Sequence, residues 1–137
     1  MPTLEDVSHI AADLPGSEEK SSGGGLAWFV RKKPYAWESV PWPSEAEHVR
    51  VLVSTEPCIG VSLSDEDDKQ ALVQGWPDAF VASETKWGGP KIIIRLGGVD
   101  PDHLVELVTE SWRLQAPKYL RREFDDAEDG LRTPDRS

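Results

Sequence analysis

Gly97 and Gly98 stand between the β-branched run "IIIRL" and a helix start at Asp100-Pro101. Strand, glycines, helix N-terminus is the order of a phosphate cradle, in which backbone N–H groups left free at the helix end hold an anion. Here Asp100 and Asp102 put carboxylates at that end, where they satisfy the amides and repel phosphate. Neither GxGxxG nor a GxxxxGKS/T string occurs. The two glycines therefore read as a tight strand-to-helix turn, and no nucleotide cofactor is expected.

The other reactive residue types are equally dispersed. His9 falls on the polar side of a first helix, His48 in a connector and His103 in the first turn of the last helix, so no inward cluster with ligand-like spacing offers a zinc or di-iron site. Cys58 lies beside Pro57 with no histidine paired to it in sequence, which reads as a buried or incidental thiol rather than a nucleophile. The run "SDEDD" (64–68) lacks the alternating oxygen ligands, mid-loop glycine and terminal glutamate of a calcium loop, and reads as an acidic helix cap. With no acid, base or nucleophile pair, the expectation is a non-enzymatic protein without metal or cofactor.

The elements that would position these residues follow from periodicity. Thr3 with Asp6 is a capping box, and Leu4, Val7, Ile10, Ala11 and Leu14 fall on one helical face before "PG". "SEEKSSGGG" (17–25) reads as a loop. "LAWFV" (26–30) and "YAWESV" (35–40) around "RKKP" read as an antiparallel hairpin, and "VRVLVS" (49–54) with "IGVSLS" (59–64) as a second one. Ser64 then caps a helix with Ala71, Leu72 and Trp76 inward, ended by Pro77. "DAFVAS" and "PKIIIRL" are the last strands, joined by "ETKWGG". Asp100 caps the last helix, Pro101 takes its first position, and Leu104, Leu107, Val108, Ser111 and Trp112 line its inner face. The core expected is Leu4, Val7, Ile10, Leu104, Leu107, Val108 and Trp112 against Ile92 and Ile94, or alternatively Ile93. Residues 1–120 form one domain, and the apolar-poor tail 121–137 is expected to be disordered.

Charge bounds the partners. Fifteen basic against 25 acidic residues give a net −10 over 137 residues, a field that repels nucleic acid and anionic membranes, so any polyanion needs a local patch. The one cysteine, the lack of a long apolar run and the acidic N-terminus predict a cytoplasmic protein with no membrane partner. The basic residues form two groups: Arg31, Lys32 and Lys33 at the first hairpin tip, and Lys118, Arg121 and Arg122 after the last helix, where cations suit a helix C-terminus. Of six tryptophans, Trp28, Trp37 and Trp112 read as core, while Trp42 and Trp87 sit in proline- and glycine-rich loops as lids over the core or as partner contacts.

Several strings in order, "LPGSEE", "LAWFVRKKPYAWE", "KQALVQGWPDAFVAS" and "GGPKIIIRLGGVDPDHLVELVTESWRLQAPKYL", resemble the MmcQ/YjbR-like bacterial proteins over most of residues 4–120. The resemblance implies a compact single-domain α+β fold, an antiparallel sheet packed by helices in the order α-β-β-β-α-β-β-α. It also implies a DNA-binding role with hairpins as wings, and it brings no catalytic residues. Two readings follow. One is a DNA-binding module using Arg31, Lys32, Lys33, Lys118, Arg121 and Arg122. The other is a protein- or small-ligand-binding module with an apolar groove between the sheet and the last helix, near Trp87 and Lys91.

Overall fold

The computed structural model describes residues 2–22, 25–41, 43, 45–83 and 89–132. Its elements are α1 (Leu4–Ala12), β1 (Ser17–Ser22), β2 (Gly25–Val30), β3 (Lys33–Glu38), α2 (Glu47–Thr55), β4 (Cys58–Ser62), α3 (Glu66–Gly75), β5 (Phe80–Ala82), β6 (Lys91–Arg95), α4 (Pro101–Gln115) and α5 (Lys118–Arg132). The strands make one six-stranded sheet in the order β1-β2-β3-β4-β6-β5, antiparallel at every neighbour pair. The fold class is α+β, as the sequence predicted.

Strand alternation sorts the sheet into two apolar faces. Ile59, Val61, Ile92 and Ile94 meet Val7, Ala11, Leu104, Leu107, Val108 and Trp112 in the main core, so Ile92 and Ile94 are the pair that faces α1 and α4. Ile93 points the other way, into a smaller cluster with Val49 and Cys58 under α2. The expected capping box at Thr3 and Asp6 is present, and Asp100 accepts from the amides of Asp102 and His103 at 3.1 and 3.4 Å.

Residues 17–22, expected as loop, are the edge strand β1. The strand has no apolar alternation because it lies at the sheet's rim, where charged side chains keep an open edge from pairing with other chains. Residues 49–54, expected as a strand, are helical. Val49, Val51 and Val53 alternate, but Val49, Leu52 and Val53 also make a helical stripe, and that stripe packs on the sheet while Val51 is exposed. The segment is a cover for the second face rather than half of a hairpin.

Helix α3 is capped by Asp65, whose side chain accepts from the Asp68 amide at 2.8 Å, one residue later than Ser64. Leu72 and Val73 consequently turn toward the core while Ala71 and Trp76 are exposed. The expected disorder of 121–137 gives way to helix α5 through Arg132. Leu120 and Phe124, spaced i and i+4, supply a narrow apolar stripe: Leu120 is buried in the main core and Phe124 packs against it, its ring 5.3 Å from that of Trp112. Residues 133–137 lie outside the described ones.

Candidate functional site

The hairpin between β2 and β3 is tighter than "RKKP" suggests. Val30 pairs with Lys33, leaving Arg31 and Lys32 as a two-residue loop, with φ of 51° and 70°. Positive φ at both central residues is the pattern of a type I′ turn, which favours Asn-Gly because a Cβ is disfavoured there. Pro34 enters β3 beside a register shift opposite Trp28 and Phe29, which accommodates a residue that cannot donate to the ladder. Two long cations thus occupy backbone positions that local stability would give to other residues.

The start of α5 lies next to this tip. Gly16, at φ 72° in the turn between α1 and β1, is the contact point: a Cβ there would stand 2.8 Å from Leu120 Cδ1 and 3.7 Å from Val30 Cγ2. Leu120 follows Tyr119 and Val30 precedes Arg31, so the same buried junction aligns both outward-facing neighbours. The Arg31 guanidinium lies 6.0 Å from the centre of the Tyr119 ring, at cation–π range, and Tyr119 remains 57% exposed.

The second basic group is placed differently from its expected setting. Lys118, Arg121 and Arg122 belong to the opening turns of α5, which has no acidic residue in its first turn. They stand at the positive end of that helix's dipole, where cations are disfavoured. Arg31, Lys32, Lys33, Lys118, Arg121 and Arg122 are all exposed, and among the described residues Lys32, Lys33, Lys118 and Arg122 enter no side-chain hydrogen bond or ion pair. The helix is held by other groups. Arg113 of α4 reaches Asp125 at 2.6 Å and sits 5.2 Å from the Phe124 ring, and its hydrogen bond holds the Asp125 carboxyl below the usual range.

Of the two groove residues, Lys91 alone falls among the described ones. Trp87 lies outside the described residues, as does Trp42. Lys91 is buried and shares by alternation the face of Ile93, away from α4, with its ammonium donating to the Gly89 carbonyl at 3.2 Å. Burial, and then the charge of Lys69, lower its pKa. Between the sheet and α4 the space is filled by the main core.

The remaining candidates also separate. Cys58 opens β4 and is buried, its thiol pushed up to about 11 by burial and by the charge of Glu56. His103 makes edge-on contacts with the rings of Trp76 and Phe80 at 4.8 and 5.1 Å, which explains its place without a metal. Among the described residues no three His, Cys, Asp or Glu come together as a metal site, and no helix is long and apolar enough to cross a membrane. The amides at the α4 N-terminus are engaged by Asp100 itself, which leaves Gly97-Gly98 as a turn. Tyr119 was not singled out in the sequence; an aromatic one residue after Lys118 and two before Arg121 was the available signal.

A family model described as YjbR matches residues 12–114, which include the hairpin tip and stop short of α5. The chain is 34% identical over 127 residues to uncharacterized protein Rv2570 of Mycobacterium tuberculosis, covering 90% of this chain and 96% of that protein. The same identity and coverage hold for uncharacterized protein Mb2600 of Mycobacterium bovis. A crystal structure of Deinococcus radiodurans protein DR2400, a DUF419 domain, is similar in fold with a TM-score of 0.66 at 19% identity, covering 91% of this chain and 89% of that chain.

Proposed function

The chain belongs to the YjbR family, and on that premise we propose that it is a non-enzymatic, cytoplasmic binding module whose basic face takes the phosphate backbone of nucleic acid. The observation that supports this reading is the approach of Arg31 to Tyr119, which brings a cation of the hairpin tip beside the turn of α5 that carries Lys118, Arg121 and Arg122. Had the groups lain on opposite sides, neither could have offset a net charge of −10. Screening over about 8 Å at physiological salt lets a local patch act against a repelling whole-molecule field.

Members of both groups also sit where local structure disfavours them: Arg31 and Lys32 at positive φ, and Lys118 at a helix N-terminus. Residues that break a local rule without a stabilising return are expected at functional positions. Six cations allow at most about six phosphate contacts, so log K should fall with log salt at a slope no steeper than about −5.

Titrating labelled DNA, as duplex and as single strand, at about 50 and 200 mM salt tests this for the wild type and for the protein with Arg31, Lys32 and Lys33 all changed to Ala. Binding that weakens steeply with salt, and a slope shallower by about 2 to 3 in the variant, is the expected result. No binding of either form at the lower salt would remove the proposal.

A further inference from the structure

We infer that the preferred partner of this face is single-stranded nucleic acid, with Tyr119 as a stacking platform for an unpaired base. The inference rests on the nucleic-acid reading above and selects among its partners.

Tyr119 is more than half exposed, the Arg31 guanidinium faces it, and the exposed Arg122, three residues on, is its neighbour on the helix surface. Phosphate contacts on a duplex need cations alone, since its bases are already stacked inside. A ring set among cations suits a strand whose bases are free, where charge follows the backbone and the aromatic face takes a base of any sequence.

Major-groove reading needs a helix with a polar or basic outer face or a free two-stranded ribbon. The β2–β3 hairpin is no free ribbon, since β1 pairs with β2 as far as Val30 and leaves only Arg31 and Lys32 beyond the paired strands. The exposed face of α4 carries Asp102, Glu106 and Glu110, and α3 begins with Glu66, Asp67 and Asp68. Helix α5 turns acidic after Arg122, with Glu123, Asp125 and Asp126 exposed. None of these helices can lie along a groove without bringing carboxylates against phosphate. The basic surface is confined to a hairpin tip and about one and a half helical turns, dimensions that fit a few nucleotides of one strand.

The face is also held in place. A two-residue turn, and a helix start fixed by Leu120 against Gly16, hold the cations and the ring without a long flexible loop. A preorganised platform loses little side-chain freedom on binding.

The test uses the full chain with a labelled mixed-sequence DNA strand of about 12 nucleotides, within the range one compact single-strand site covers, the RNA strand of the same sequence, and the DNA duplex. The wild type should bind the strands at least tenfold more tightly than the duplex. Tyr119→Ala should weaken strand binding by roughly 5- to 150-fold, the effect of losing one stacked base, and weaken duplex binding far less, while Tyr119→Phe keeps wild-type affinity. Circular dichroism and a melting curve establish that each variant is folded, which the exposure of Tyr119 favours. Equal binding of strand and duplex, unaffected by Tyr119→Ala, overturns the stacking inference and leaves the phosphate-binding reading standing. No binding of any probe by the folded wild type removes both. DNA and RNA strands bound alike would assign the recognition to base and phosphate, and a preference for one to the sugar.

Discussion

The hydroxyl of Ser111 donates to the backbone carbonyl of Tyr35 at 2.5 Å. It also accepts from the Ser62 amide at 3.0 Å, with all three groups buried. The β3–β4 ladder pairs Glu38 with Ile59, Trp37 with Gly60 and Ala36 with Val61, and would next join Tyr35 to Ser62. A helix side chain takes the place of that rung. Ser111→Ala should therefore leave a buried amide and carbonyl without this partner and destabilise the protein by about 1 to 3 kcal/mol. Chemical denaturation measures it, and a loss below about 0.5 kcal/mol, the range of an ordinary surface substitution, would show that the bridge contributes little.

Trp112 fills the main core, fully buried, and donates its indole N–H to the Pro15 carbonyl at 3.1 Å. Trp112→Ala should cost about 3 to 5 kcal/mol, the range for deleting a large buried aromatic. Because the ring also supports Phe124, the loss should include fraying of α5, visible as faster amide exchange at Leu120 and Arg121.

How far these elements could be read from the chain depended on whether the signal was local. Helix α4 was legible because cap, proline and apolar stripe agree at Asp100, Pro101, Leu104 and Trp112. β1 was not, since Ser17–Ser22 has no apolar face and becomes a strand only through pairing with β2; Glu19, for instance, accepts from the Trp28 indole at 2.8 Å. Residues 49–54 fit both periods, and the uncovered side of the sheet at Ile93 and Cys58 decides between them. The two cation groups were visible in the sequence. Their meeting at Tyr119 was not, because it depends on Gly16 admitting Leu120, a tertiary contact with no local trace.

Cys58 should be unreactive in the folded protein. With its thiol pushed up to about 11 and the residue buried, almost no thiolate exists at pH 8. A disulfide reagent such as dithiobis-nitrobenzoate should label it only over the time of unfolding, and at once in denaturant. Stoichiometric labelling of native protein within seconds would contradict this placement.

Glu56 and Arg95 pair through two hydrogen bonds of 2.8 and 3.2 Å, and that bonding lowers the Glu56 pKa. A carboxyl whose folded pKa is depressed contributes stability above its unfolded value of about 4.3, and loses it as pH falls through the folded value. Both side chains are about one-third exposed, so the contribution is modest. Glu56→Gln should destabilise by about 0.5 to 1 kcal/mol at neutral pH, and the two melting curves should converge as the pH drops below about 4. A difference that persists unchanged at pH 3 would show that it is not electrostatic.

On the proposed reading, the hairpin tip carries cations at the expense of its own stability because they bind a polyanion. Replacing Arg31 and Lys32 with Asn and Gly gives the turn the residues a type I′ loop prefers while removing two charges. The variant should be more stable by about 1 kcal/mol, after allowing for the lost contact with Tyr119, and should bind labelled single strands at least tenfold more weakly at about 50 mM salt. A variant that is stabilised yet binds the strand as tightly as the wild type would contradict it.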